Sequence, residues 1–215
     1  MKVLLLGSTG KLGAFLQAHW SGRYELSTPG RGEVDLADPA ALRSYLAGVE
    51  FEALVNCAAM AHPDRCEEDP EGARLVNTEG PAVMAEACSG RGARLVHFST
   101  DYVLDGHIEG LKDEEAAVGP VNVYGETKLA GEEAVLGTDA QALVCRVSWI
   151  FGTDPPGFCD SILARAQSGE DLEAIADKDS MPTSALRIAG WVEELLARGD
   201  QRGLFHLTHT GEPQS

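Results

Sequence analysis

Hydrophobic positions fall along this chain in two alternating textures. Short stretches at 2–6, 24–27, 53–57, 94–98 and 142–147 are rich in Leu, Val and Ala and predict strands. Several of them are apolar at nearly every position, as strands buried on both faces must be. Between them, apolar residues recur every three or four positions over 12–20, 39–46, 70–88 and 123–136, which predicts helices. Pro70 opens the third of these, where its missing N–H costs nothing. Strands that alternate with helices build βαβ units, so the expected class is α/β: a doubly wound parallel sheet with helices on both faces.

After about residue 150 the pattern breaks up. The segment from Gly152 to Gly157 contains Asp154-Pro155-Pro156, a strong interruption, and the remainder predicts a helix at 160–167, a short strand at 172–176, a helix at 184–197 and a strand at 204–207. The last residues, 210–215, are polar and expected to fray. A length of 215 residues suits one large domain, or one domain with a small lobe. With 44% hydrophobic and 24% charged residues, the chain has material for a sizeable core, which excludes wholesale disorder.

Charge narrows the partners. The formal net charge is −17, so a polyanion meets repulsion over the bulk of the surface, and nucleic acid is not expected. A small anionic ligand is still compatible, because backbone N–H groups at one helix end can override the net charge locally. The five cysteines (Cys57, Cys66, Cys88, Cys145 and Cys159) are widely spaced, include no Cys-x-x-Cys pair, and read as reduced thiols of a cytoplasmic protein. The apolar run after Met1-Lys2 is too short for a signal peptide, and no stretch is long enough for a membrane span. The histidine spacing suggests no metal site.

Three groups of residues carry chemistry. The first is Gly7-Ser8-Thr9-Gly10-Lys11-Leu12-Gly13, between the first strand and the first helix. Glycine at 7 suits a tight turn, at 10 a close backbone approach and at 13 close helix packing, with a helix N-terminus to hold a pyrophosphate. An acid at the end of the second strand would complete a fingerprint for the ribose hydroxyl. The chain has Ser27-Thr28-Pro29-Gly30-Arg31 there, and an arginine can fork onto a 2′-phosphate. That favours NADPH and leaves NADH open; the alternative for Arg31 is a solvated loop residue.

The second group is Tyr124 and Lys128, four apart at the opening of a helix and therefore on one face. An ammonium about 4 Å from the phenol is worth about 4 kcal/mol at an effective dielectric of about 20, or about 3 pKa units. Such a pair is expected to bring the phenol toward neutrality as a general acid/base. Alone, Tyr-x-x-x-Lys is common on helix surfaces; the upstream glycine turn makes it specific. The third group, Ser99-Thr100-Asp101-Tyr102, follows the fourth strand, where open α/β sheets bind ligands. Thr100 could bond a reacting oxygen, or the segment could simply cap its turn.

On these residues the chain resembles the extended short-chain dehydrogenase/reductases, and among them the dTDP-4-dehydrorhamnose reductase family. The resemblance rests on Gly7 to Gly13, Val55-Asn-Cys-Ala-Ala59, Asp64-Arg-Cys-Glu67, His97-Phe-Ser-Thr-Asp-Tyr-Val103, the run from Pro120 through Tyr124 and Lys128 to Glu132, Arg146-Val-Ser-Trp149 and Pro182-Thr183. It implies Thr100, Tyr124 and Lys128 as catalytic trio, with Asp101, Tyr102 and Trp149 beside the sugar. It implies that the cofactor lies against Gly7, Thr9, Gly10, Lys11, Leu12, Gly13 and Arg31, with Asp35 and Leu36 beside the adenine, and against Ala58, Ala59, Tyr124 and Lys128. Residues 1–150 are then an NADP-binding Rossmann domain, and 151–215 a small, shortened substrate lobe. Related dehydratases carry Asp-Glu after the threonine; Asp101-Tyr102 here favours a simple reductase.

The implied activity is NADPH-dependent reduction of the 4-keto group of a nucleotide-linked deoxysugar, by a cytoplasmic protein that could form a homodimer. Two departures stand out. The family's Asp-Gln-x-Gly-x-Pro-Thr stretch reads Asp177-Lys-Asp-Ser-Met-Pro-Thr183, and relatives continue beyond His206-Leu-Thr208 into helices that cover the sugar nucleotide. This chain is therefore expected to bind NADPH well yet to close poorly over its substrate without a second subunit. The rival readings are a non-catalytic NADP-binding regulatory subunit, and a sugar-nucleotide epimerase that retains NAD.

Overall fold

The computed structural model describes residues 1–108, 110–152, 157–173 and 180–211, with Phe158 and Cys159 described by backbone alone. In chain order the elements are β1 (Lys2–Leu6), α1 (Lys11–Trp20), β2 (Glu25–Ser27), α2 (Pro39–Gly48), β3 (Ala53–Asn56), α3 (Pro63–Glu68), α4 (Pro70–Arg74) and α5 (Gly80–Arg91). They continue with β4 (Arg94–Thr100), α6 (Val123–Leu136), β5 (Gln141–Val147), β6 (Ile150–Phe151), α7 (Phe158–Gln167), β7 (Thr183–Ser184), α8 (Ala185–Ala197) and β8 (Gly203–His206). Six strands pair in parallel in the order β2-β1-β3-β4-β5-β8, and β6 pairs with β7 in a separate two-stranded sheet.

Alternation along the strands divides the core in two. Val3, Leu5, Val55, Val96 and Cys145 face α1 and α8, where Leu16, Trp20, Ile188 and Val192 meet them. Leu4, Leu6, Leu54, Leu95 and Val144 face the other layer, against Leu42, Leu46, Met84 and Val135. Both faces are therefore apolar, as the continuous hydrophobic runs require. Strand order reverses between β1 and β3, and the crevice beyond their carboxyl ends is where such sheets bind ligands.

Within the stretch expected as a substrate lobe, β8 pairs with β5, and Ala185, Ile188 and Val192 of α8 sit in the main core. Arg94 of β4 ties them down, its guanidinium donating to the carbonyls of Leu196 (3.0 Å), Arg198 (3.1 Å) and Gln201 (2.8 Å). The helix expected over 70–88 is divided by a π-helical turn, Leu75–Glu79, between α4 and α5. Pro81 causes this, since it lacks an N–H for the regular ladder and its ring crowds the carbonyl four residues back. Residues 172 and 173, where a short strand was expected to begin, are not in a strand; the rest of that stretch and Asp154-Pro155-Pro156 lie outside the described residues.

Candidate functional site

The turn after β1 is built by steric necessity. Gly7 has φ +77°, and a Cβ there would lie 2.6 Å from the Ala58 nitrogen. A Cβ on Gly13 would come within 2.1 Å of the Gly7 carbonyl oxygen, so helix and turn touch only because both residues are glycine. At Gly10 the nearest protein atom is 3.5 Å away; the missing side chain there leaves room and relieves no clash. Gly10 caps α1 without a side-chain bond and the first turn holds no acid. The N–H groups of Lys11, Leu12 and Gly13 therefore have no intrahelical acceptor and stand at the positive end of the helix dipole.

Beside this turn lies a cavity of about 210 Å³. Gly7, Thr9 and Gly10 form one wall, Ala58 and Ala59 another, and Arg31, Asp35 and Leu36 the far end. Eight of the expected cofactor residues thus line one space, while Lys11, Leu12, Gly13, Tyr124 and Lys128 are not among its lining. The Lys11 ammonium turns away to donate to the Gly152 carbonyl at 3.0 Å, and Leu12 is buried in the core, so these two offer only their main-chain N–H groups. The Asp35 carboxylate accepts the Ala37 N–H at 3.0 Å and shapes its own turn. An anion-binding helix end, a glycine cradle and an arginine at the far wall fit a dinucleotide phosphate.

At the carboxyl end of β4 the catalytic candidates come together. The Thr100 hydroxyl donates to Asp101 Oδ1 at 3.1 Å and accepts the Tyr102 N–H at 3.3 Å. Asp101 Oδ2 accepts hydrogen bonds from Ser148 (2.6 Å) and Ser180 (2.9 Å), and these two buried hydroxyls also bond each other. Tyr124 lies beside Thr100, and its ring meets Tyr102 edge-on at 5.4 Å. Trp149, 37% exposed, holds a φ of +35°, a strained value for a bulky residue of the kind that collects at ligand sites.

Lys128 departs from expectation. Spacing placed its ammonium near the Tyr124 phenol; the structure buries it and points Nζ at the Phe98 carbonyl (2.6 Å) and at His97 Nε2 (3.3 Å). Burial pushes the Tyr124 phenol up to about 12, although the nearby Thr100 hydroxyl acts against it. Burial likewise brings the Lys128 amine down to about 8, against the opposing pull of Glu132. The tuning of the tyrosine toward neutrality is therefore not present in this arrangement. Helix geometry puts two stems on one face, but a four-carbon chain goes to the nearest strong acceptor.

The structure adds residues to which sequence reasoning gave no role. Asn56 accepts the Ala58 N–H at 3.0 Å and faces His97 Nδ1 at 3.1 Å. Asn77, in the π-helical turn, bonds both main-chain groups of Met60 and the Thr127 hydroxyl, which joins the cavity wall to α6. Glu132 and Arg146 form a buried ion pair. Polar residues inside apolar runs were the available signal for Asn56, Glu132 and Arg146. Cys57, Cys66, Cys88 and Cys145 are unpaired, and burial pushes the thiols of Cys88 and Cys145 up to about 12, so they serve as packing groups. Among the described residues no cluster suits a metal ion, and no helix is long and apolar enough to cross a membrane.

The family described as RmlD substrate binding domain matches residues 1–214. The dTDP-4-dehydrorhamnose reductase of Sinorhizobium fredii is 34% identical over 218 aligned positions, covering 99% of this chain and 74% of that protein. The chain belongs to the dTDP-4-dehydrorhamnose reductase family. Its fold agrees: the crystal structure of a family enzyme from Clostridium acetobutylicum superposes with a TM-score of 0.92 at 30% identity, covering 98% of this chain and 75% of that one. The Bacillus anthracis enzyme, solved in complex with NADP, superposes with a TM-score of 0.91 at 26% identity over the same shares.

Proposed function

We propose that this member of the dTDP-4-dehydrorhamnose reductase family binds NADPH and reduces the 4-keto group of a nucleotide-linked deoxysugar, with Tyr124 as proton donor. The observation that carries this reading is a phosphate-type cavity at the ends of β1 and β3, together with a half-buried tyrosine whose phenol stays protonated beside Thr100 at the end of β4. Bound NADPH supplies the hydride. The main-chain N–H groups opening α1 would hold its pyrophosphate, and Arg31 its 2′-phosphate. Tyr124 gives its phenolic proton to the oxygen of the carbonyl being reduced. The Thr100 hydroxyl turns from Asp101 to that same oxygen, while Ser148 and Ser180 keep the carboxylate in place. Lys128 steadies the nicotinamide ribose, and Tyr102 and Trp149 border the sugar.

A screen of NADPH oxidation against nucleotide 4-keto sugars tests the assignment. Turnover with a dTDP-linked 4-keto-6-deoxy sugar supports it. Binding without oxidation of any of them favours the regulatory-subunit reading, and NAD released on denaturation favours the epimerase. In domain terms, residues 1–150 together with α8 and β8 make the cofactor domain, and β6, α7 and β7 lie toward the substrate. The reading carries with it a cytoplasmic location, supported by the unpaired thiols, and a homodimer that light scattering would check.

Arg31 gives a prediction on cofactor choice. Arg31→Ala is expected to weaken NADPH by about 1.5–3 kcal/mol, the worth of one charge-assisted contact, and NADH hardly at all. Titration calorimetry with both cofactors checks this. Equal losses would make Arg31 a solvated loop residue.

A further inference from the structure

A line of buried hydrogen bonds runs from the cofactor cavity to Lys128. It begins at a fixed donor: the Ala58 N–H points at Asn56 Oδ1 from 3.0 Å. That contact settles the amide orientation, so Asn56 presents its NH₂ to His97 Nδ1 at 3.1 Å. His97 must accept there, and a neutral imidazole that accepts at Nδ1 carries its proton on Nε2. The Nε2–H then faces Lys128 Nζ at 3.3 Å, while Nζ itself donates to the Phe98 carbonyl at 2.6 Å. An ammonium has three donors and no acceptor, so it would set donor against donor at His97. An uncharged amine has a lone pair, and with it every atom of the line is satisfied.

We propose that His97 is a positioning residue which, with its tautomer fixed by Asn56, favours the neutral amine of Lys128 in the cofactor-free protein, so that at alkaline pH NADPH binding is coupled to uptake of one proton at Lys128 Nζ. The step balances simply: solvent supplies the proton and the amine becomes an ammonium. The phosphates of the bound dinucleotide add negative charge, which favours the charged form of a nearby amine. The inference rests on the cofactor reading above and extends it to the linkage between binding and protonation.

Other groups around Lys128 leave the assignment standing. Glu132, one turn along α6, is the nearest acid and favours the ammonium, but its carboxylate is taken by three contacts with Arg146 of β5. Cys57, at the end of β3, is a thiol kept neutral by burial, and Tyr124 on the preceding turn stays protonated. From α3, Cys66 lies toward Tyr124 and Glu67 caps the start of α6 at the Val123 N–H. His97 is itself held neutral, its titration pushed far down chiefly by burial. With the amine drawn down to about 8, the coupling shows on the alkaline side of that value.

The cofactor-free protein provides a direct test, because the chain has only five lysines and each ¹³Cε signal can be followed. Lys128, assigned by loss of its signal in Lys128→Arg, is expected to titrate near 8, apart from lysines near the ordinary value of about 10.4. The ¹⁵N spectrum of His97 is expected to show the Nε2–H tautomer. Asn56→Asp replaces the amide with a carboxylate that accepts from both Ala58 and His97, moving the imidazole proton to Nδ1. Lys128 should then titrate higher by about one pH unit or more. His97→Gln should raise it as well, and Asn56→Asp decides the matter if that variant does not fold. A wild-type midpoint near 10, or one unmoved in Asn56→Asp, overturns the role of His97.

Calorimetry of NADPH binding to the full chain, in two buffers of different ionisation enthalpy, counts the protons. At about pH 9 the uptake should approach one, and at about pH 6.5 it should vanish. Binding at pH 9 with no proton uptake overturns the coupling and leaves the cofactor reading intact. No binding at either pH removes the cofactor reading and the coupling together, while the lysine titration still decides what His97 does.

Discussion

Tyr124→Phe is expected to lower turnover about 10²–10⁴-fold, the range for loss of a positioned acid, with NADPH affinity nearly unchanged. Phenylalanine fills the same volume, and its ring can keep the edge-on contact with Tyr102. The change removes one hydroxyl, the group that burial holds protonated beside Thr100. Thr100 keeps its bonds to Asp101 and to the Tyr102 N–H, so the loop stays in place without the phenol. Single-turnover decay of the nicotinamide absorbance, beside the NADPH dissociation constant, separates chemistry from binding. A folded variant that turns over at the wild-type rate would take Tyr124 out of the mechanism. A parallel loss of NADPH affinity would make it a binding residue.

The buried ion pair between Glu132 and Arg146 should dominate the response of the fold to a single polar substitution. Arg146 donates through Nε and Nη2 to both carboxylate oxygens, at 2.7 to 3.2 Å, with the two side chains 5% and 3% exposed. Removing one partner strands a charge in the interior. Arg146→Met or Glu132→Leu should therefore cost about 3–5 kcal/mol. At about 2–4 °C per kcal/mol for a chain of this size, the thermal midpoint should fall by about 6–20 °C. The double variant, which strands nothing, should recover most of the loss, because paired charges and apolar residues of similar volume are nearly equivalent in a core. Thermal and urea unfolding of the three variants check this. Single variants within about 1 kcal/mol of the parent, or a double variant as damaged as the singles, would show that the pair is not isolated from water.

Much of this architecture is legible along the chain, because its causes are local. Whether a strand is wet on one face or buried on both is written in its periodicity, and five of the six strands of the main sheet fall where the first apolar runs placed them. Gly7 and Gly13 answer a steric demand a few residues away, so the phosphate turn shows in their spacing. The spacing of Tyr124 and Lys128 likewise places them on one helical face.

Other features depended on partners distant in sequence. That β8 joins the main sheet and α8 packs against it depended on pairing with β5 and on Arg94, about a hundred residues away, and local pattern cannot express such a contact. The direction of the Lys128 ammonium was decided in the same way. Spacing fixes where its Cβ lies, but the end of a flexible stem goes to the nearest acceptor, here Phe98 and His97 on a neighbouring strand. The sequence by itself determined the layers, the cofactor turn and the face that carries the catalytic candidates. Only the tertiary structure decided which proton each of them holds, because burial and hydrogen-bond partners set protonation, and both arise when distant segments pack together.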